Sequence, residues 1–182
     1  MTGSDREPEE PSVPPAPTFR PRQILATLTD HRVEFVLIGG LAATFHGSPH
    51  LTQDVDITPS RDPENLARLS GALIDMAASV RASGVDGGLP FAHDAQSIAD
   101  VGVWNLTTRY GDLDISFVPT GTKGFDDLVR DAVAIVVEGV EVTVASLADV
   151  VRSKQAADRE KDRLTLPTLR EILARRLDDT GH

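Results

Sequence analysis

The 182-residue chain contains no cysteine. That absence excludes disulfides, thiolate metal sites and a cysteine nucleophile, and it fits a cytoplasmic home. Aromatic residues make up only 4% of the chain. The one tryptophan, Trp104, and the one tyrosine, Tyr110, read as packing and hairpin residues rather than base-stacking platforms. No apolar run approaches the roughly 20 residues that a membrane-spanning helix needs. The N-terminus is proline-rich and acidic, unlike a signal peptide. Positive charge is also short: 18 Lys and Arg stand against 28 Asp and Glu, a net of −10. Such a balance opposes broad, non-specific nucleic-acid binding. Against these absences, 40% apolar and 25% charged residues fit a soluble globular protein with one real core.

The charge is unevenly placed. Residues 23–151 hold 18 acidic and 7 basic side chains, whereas residues 152–176 hold 8 basic and 4 acidic. Six of the twelve prolines fall in residues 1–21, which read as a disordered lead-in. Residues 22–145 then form a core, and residues 146–182 a basic helical segment of the same domain. Within the core, helical spacing of Ile24, Leu25 and Leu28 predicts a short helix over 21–31. A buried strand is expected over 33–38, a helical turn or two over 41–46 closed by Gly47, and a second strand over 55–58. Residues 62–81 read as one amphipathic helix and the glycine-rich stretch 83–94 as a loop. Strands over 101–108 and 113–118 flank a hairpin turn. A helix over 125–132, short strands over 134–137 and 140–144, and helices over 147–157 and 167–177 complete the chain. The expected class is α+β: a mixed sheet with helices packed on it. His46, at a helix C-terminus, reads as a cationic cap.

The chemistry concentrates in one stretch. Gly39-Gly40 follows an apolar strand, and thirteen residues separate Gly40 from Asp54-Val55-Asp56. Side chains alternate along a strand, so Asp54 and Asp56 project from one face about 6–7 Å apart along the chain. Two like charges that close repel and raise each other's pKa unless something positive sits between them. A hard divalent cation with oxygen ligands is the usual occupant; the alternative is the solvent face of an edge strand. An EF-hand does not fit, because Thr58 stands at its third ligand position and Pro59 at its glycine. Asp114, between Leu113 and Ile115 on a separate strand, is a candidate third carboxylate, while Asp112 reads as a turn residue. Three convergent carboxylates can hold two divalent ions, as phosphoryl or nucleotidyl transfer requires. The basic cluster Lys154, Arg159 and Lys161 reads either as a phosphate-neutralising group or as a solvated helix face.

Gly39-Gly40, the spacer, Asp54-Val55-Asp56-Ile57 and Leu113-Asp114-Ile115 together resemble the polymerase-beta-type nucleotidyltransferase superfamily. The wording His46-Gly47-Ser48-Pro49-His50-Leu51-Thr52-Gln53-Asp54-Val55-Asp56 is similar to its AbiEii-type toxin and minimal nucleotidyltransferase branch, and the segment 153–162 is similar to the basic helical segment that closes many such domains. The likeness covers roughly residues 23–177. It implies a transferase of NMP from an NTP to an acceptor hydroxyl, with release of pyrophosphate. Asp54 and Asp56 would ligate two Mg²⁺ ions (or Mn²⁺). Asp114 would ligate the ion nearer the acceptor and help to deprotonate its hydroxyl. Gly39 and Gly40 would present backbone N–H groups to the triphosphate, and His50, Lys154, Arg159 and Lys161 would contact it. Two departures stand out: Leu41 and Ala42 follow the glycines where many members have Ser, and His50 stands where this branch usually has Arg. Histidine cannot supply arginine's permanent bidentate contact. The acceptor is a tRNA end, a protein or a small molecule such as an antibiotic, and a toxin role would bring an antitoxin partner. A glycosyltransferase using Asp-x-Asp, and a non-catalytic nucleotide- or partner-binding domain of this fold, are the competing readings.

Overall fold

A computed structural model describes residues 18–180. The expected lead-in lies largely outside them; within them Pro21 already opens the first helix. The order of elements is α1 (Pro21–Asp30), β1 (Phe35–Ile38), α2 (Gly39–Phe45), β2 (Asp54–Pro59), α3 (Pro63–Asp75), β3 (Ser79–Ala82), β4 (Val85–Leu89), α4 (Ala95–Asp100), β5 (Val103–Thr108), β6 (Gly111–Ser116), α5 (Phe125–Leu128), β7 (Val133–Val137), β8 (Val140–Val144), α6 (Leu147–Ala157) and α7 (Glu160–Thr180). The strands form one mixed sheet in the order β4-β3-β5-β6-β2-β1-β8-β7. Strand β2 runs antiparallel to β1 and parallel to β6, so the carboxylate-bearing strands are neighbours at the centre.

Burial explains the arrangement. Along β2 and β6 the odd-numbered Val55, Ile57, Leu113 and Ile115 are fully buried on one face. They join a core with Ile24, Leu25 and Leu28 of α1, Leu66, Leu69 and Leu73 of α3, and Ile98 of α4. At about 25 cal/mol per Å² of apolar surface, each such side chain contributes roughly 1.5–3 kcal/mol to folding. The even-numbered carboxylates are thereby forced onto the opposite face. No helix among the described residues is long and apolar enough to cross a membrane.

Three expectations are corrected. The helix over 62–81 stops at Asp75, and residues 79–82 are a strand. The stop is a left-handed turn at Ala77 (φ 49°), closed by bonds from the N–H of Ala78 to Leu73 O and from that of Ala77 to Ile74 O. Glycine usually marks such a turn, and here alanine takes it. The loop over 83–94 contains β4, whose Gly87-Gly88 pair accompanies a shift of register against β3. Finally, the last helix begins at Glu160 and runs through Pro167 rather than starting there. Burial of Asp162, Leu166 and Leu169 fixes those earlier turns.

Candidate active site

The chain leaves β1 through Gly39 at φ +68° and enters α2 directly. Ile38 pairs with Asp56 across β1 and β2. On the other side of β2, Asp54 stands opposite Asp112, and Asp56 opposite Asp114. The register therefore sets four carboxylates in a two-by-two grid on the face away from the core. One oxygen from each of Asp54, Asp56 and Asp114 lies within 4.8 Å of the other two. Hard oxygen donors converging in this way suit a divalent cation such as Mg²⁺ or Mn²⁺.

The electrostatics follow from burial and crowding. Desolvation, then the charges of Asp54 and Asp114, push the Asp56 carboxyl up to about 7; Lys161 and the Gly40 N–H work in the other direction. Burial also raises the Asp114 pKa, against the opposing charge of Arg81. Asp54 accepts a hydrogen bond from Thr52 Oγ1 on the loop before β2. The glycine pair is packed directly against these groups. A Cβ at Gly40 would stand 2.6 Å from Thr52 Oγ1.

Cationic groups approach from the C-terminal helices. Asp162 is fully buried and uses both oxygens: Oδ1 is 3.1 Å from Lys154 Nζ and Oδ2 is 2.8 Å from Arg159 Nε. Burial alone would raise its pKa, but Arg159 and Lys154 bring it below the ordinary carboxylate value. Two cavities meet at Gly39, Asp56, Lys154 and Arg159. The smaller, about 120 Å³, is lined also by Gly40, Ser48, His50, Asp54 and Lys161. The larger, about 370 Å³, has apolar walls from Ile38, Val103, Ile115, Leu128 and Val150, interspersed with Asn105, Ser116 and Thr122. All nine residues singled out in the sequence thus line one or both of these adjoining cavities.

Three side chains differ from their sequence reading. Asp112 is no turn residue; it sits inside β6, opposite Asp54. His46 is not a cationic cap: burial holds its pKa down, with Arg176 adding to the effect. Its Nε2 is 2.7 Å from Ala145 O and its Nδ1 is 3.1 Å from Arg176 Nη1, so Nε2 carries the proton and Nδ1 accepts. Arg81 escaped notice altogether. It lies on β3, with Nη2 2.7 Å from Asp114 Oδ1 and Nε 3.2 Å from Asp112 Oδ2. The one signal available was its being among seven basic residues in the acidic stretch 23–151.

Comparison with solved structures places this sheet in a known architecture: the chain has the nucleotidyltransferase fold. A candidate nucleotidyltransferase from Thermotoga maritima matches with a TM-score of 0.50 and 19% identity, over 86% of this chain and 96% of the other. The lincosamide antibiotic adenylyltransferase LnuA, bound to lincomycin, matches at 0.56 and 16%, over 83% and 94%. ANT(2")-Ia in complex with adenylyl-2"-tobramycin matches at 0.52 and 14%, over 86% and 90%. No protein-family model matches the chain, and no curated protein does either.

Proposed function

We propose that the protein is a divalent-cation-dependent nucleotidyltransferase that moves NMP from an NTP to an acceptor hydroxyl. The observation that carries this reading is the register of β2 on β6, which converges Asp54, Asp56 and Asp114 beside the Gly39 turn. When bound, divalent ions neutralise the phosphate oxygens and polarise the attacking and leaving oxygens. The small cavity, with Gly40, His50, Lys154, Arg159 and Lys161, suits the β- and γ-phosphates. The larger cavity, with both apolar walls and polar groups such as Asn105, Ser116 and Thr122, suits the nucleoside. The acceptor oxygen bonds to the α-phosphorus, the bond to the β-phosphate oxygen breaks, and pyrophosphate leaves. Asp114 takes the hydroxyl proton.

The acceptor class we favour is a small hydroxylated molecule, because two similar folds carry lincomycin and an adenylylated tobramycin. Transfer to a tRNA end or a protein instead would indicate the AbiEii-type toxin branch, with an antitoxin partner. The test is incubation with each labelled α-³²P NTP, Mg²⁺ and separate acceptor pools of aminoglycosides and lincosamides, RNA and protein. Label should pass to one pool and be lost in Asp54→Ala. Tight NTP binding with no transfer to any pool would leave the non-catalytic reading standing, and undiminished transfer by Asp54→Ala would sink the assignment of the site.

A further inference from the structure

Arg81 belongs to the β3–β4 hairpin at the edge of the sheet, outside the strands that carry the aspartates. Its guanidinium is nonetheless held by two carboxylates of the grid, Asp114 Oδ1 at 2.7 Å and Asp112 Oδ2 at 3.2 Å, and by the Leu106 carbonyl of β5 at 3.1 Å. We propose that Arg81 is a positioning residue for the candidate cation site, fixing Asp114 from the side away from β2 in the orientation that keeps one of its oxygens close to Asp54 and Asp56. The proposal rests on reading the three aspartates as a cation site.

The reason lies in the charges. Asp112 and Asp114 are i and i+2 on one strand and stand opposite Asp54 and Asp56. Four carboxylates so arranged repel one another, and each lowers its energy by rotating outward into water. A guanidinium spanning Asp112 and Asp114 removes that incentive for the β6 pair. A planar fork can hold two carboxylates and a carbonyl at once; a lysine ammonium, as a compact point charge, does not fix their orientation. Asp114 is only 22% exposed at its side chain, so this is not a loose surface ion pair.

An opposing effect must be weighed: a positive charge beside a cation site repels the cation. Here Asp112 offsets that charge, since the Arg81–Asp112 pair carries no net charge. Long-range repulsion is therefore small, while the hold on Asp114 is intact. Ordering wins. Loss of a partner that orients a ligating carboxylate typically weakens metal affinity by roughly 10- to 100-fold.

The test is titration of the full chain with Mn²⁺ alone, reading free Mn²⁺ by electron paramagnetic resonance, with a metal-free thermal melt of each variant. Arg81→Ala and Arg81→Lys are both expected to bind Mn²⁺ at least about tenfold more weakly than the parent. Arg81→Lys is the sharper variant: it retains the positive charge and an aliphatic stem but lacks the fork. Unchanged Mn²⁺ affinity in Arg81→Lys, whether or not its melting temperature falls, would reduce Arg81 to a structural ion pair and overturn the proposal. Tighter binding by Arg81→Ala would make Arg81 a competitor of the cation and overturn it too. If Asp54→Ala binds Mn²⁺ as well as the parent, the cation site itself is refuted and the proposal falls with it.

Discussion

Gly39 and Asp56 are packed so closely that no side chain fits between them: a Cβ on Gly39 would lie 2.0 Å from Asp56 Oδ2. Gly39 also has φ +68°, which side chains of L-residues rarely adopt. Gly39→Ala therefore costs about 1–2 kcal/mol in the backbone alone. It must also displace a central carboxylate of the grid. We expect the variant to remain folded, to lose more than 90% of nucleotidyl transfer, and to bind Mn²⁺ at least about tenfold more weakly, the scale of a disturbed metal ligand. A variant with unaltered Mn²⁺ binding would show that the turn can shift without moving Asp56.

The metal-free protein should be less stable at pH 8 than at pH 5. Asp56 titrates at about 7 when folded and near 3.8 when unfolded. Between those values the folded state holds the extra proton, so stability declines as pH rises through the window and levels off above about 7. Of the distance from 3.8 to about 7, the part above pH 5 enters this comparison and is worth up to about 3 kcal/mol. Asp56→Asn should flatten the decline and melt higher than the parent at pH 8. Saturating Mg²⁺ should restore the parent at pH 8 and have little effect on the variant. A melting temperature that climbs from pH 5 to pH 8 in the metal-free parent would contradict this picture.

The central strands were legible because β6 alternates strictly and β2 does so from Asp54 to Ile57, setting Asp54, Asp56 and Asp114 between apolar residues. The sequence also marks Lys154, Arg159 and Lys161 as a basic cluster, but it starts the last helix too late and says nothing of Asp162 as the shared anchor of Lys154 and Arg159. A buried carboxylate looks like any helical aspartate until its depth is known. The β3–β4 hairpin was illegible for a local reason. Ala77 takes a left-handed conformation with no glycine to announce it, so a helical pattern runs on in the sequence past the point where the helix ends. Arg81 was hidden by the same turn. As a strand residue it joins Asp112 and Asp114.

Asp162→Asn should impair nucleotide binding without touching the cation site. The buried carboxylate holds Lys154 and Arg159 at the junction of both cavities. Removing its charge leaves Lys154, only 11% exposed, without its counter-ion. Breaking a buried pair in this way costs roughly 3 kcal/mol. We expect a lower melting temperature, KM for the NTP raised at least about fivefold (a loss near 1 kcal/mol), and Mn²⁺ affinity within about twofold of the parent. An unchanged KM would place Lys154 and Arg159 among structural cations rather than phosphate ligands.

Filling the larger cavity should separate nucleoside binding from cation binding. Ala157, at the end of α6, lines that cavity and not the smaller one. Its side chain is half-buried, so a larger group can extend into the space without replacing a core residue. Ala157→Phe adds volume where the base and ribose are proposed to lie, while Asp54, Asp56 and Asp114 keep their strand register. KM for the NTP should rise about tenfold or more, the equivalent of roughly 1.4 kcal/mol of lost binding. Affinity for inorganic triphosphate, which needs only the small cavity, should change less than twofold, as should Mn²⁺ binding. Isothermal titration of parent and variant with ATP and with triphosphate makes the comparison directly. Equal weakening of both ligands would mean that the nucleoside lies elsewhere and that Ala157 borders the phosphates instead.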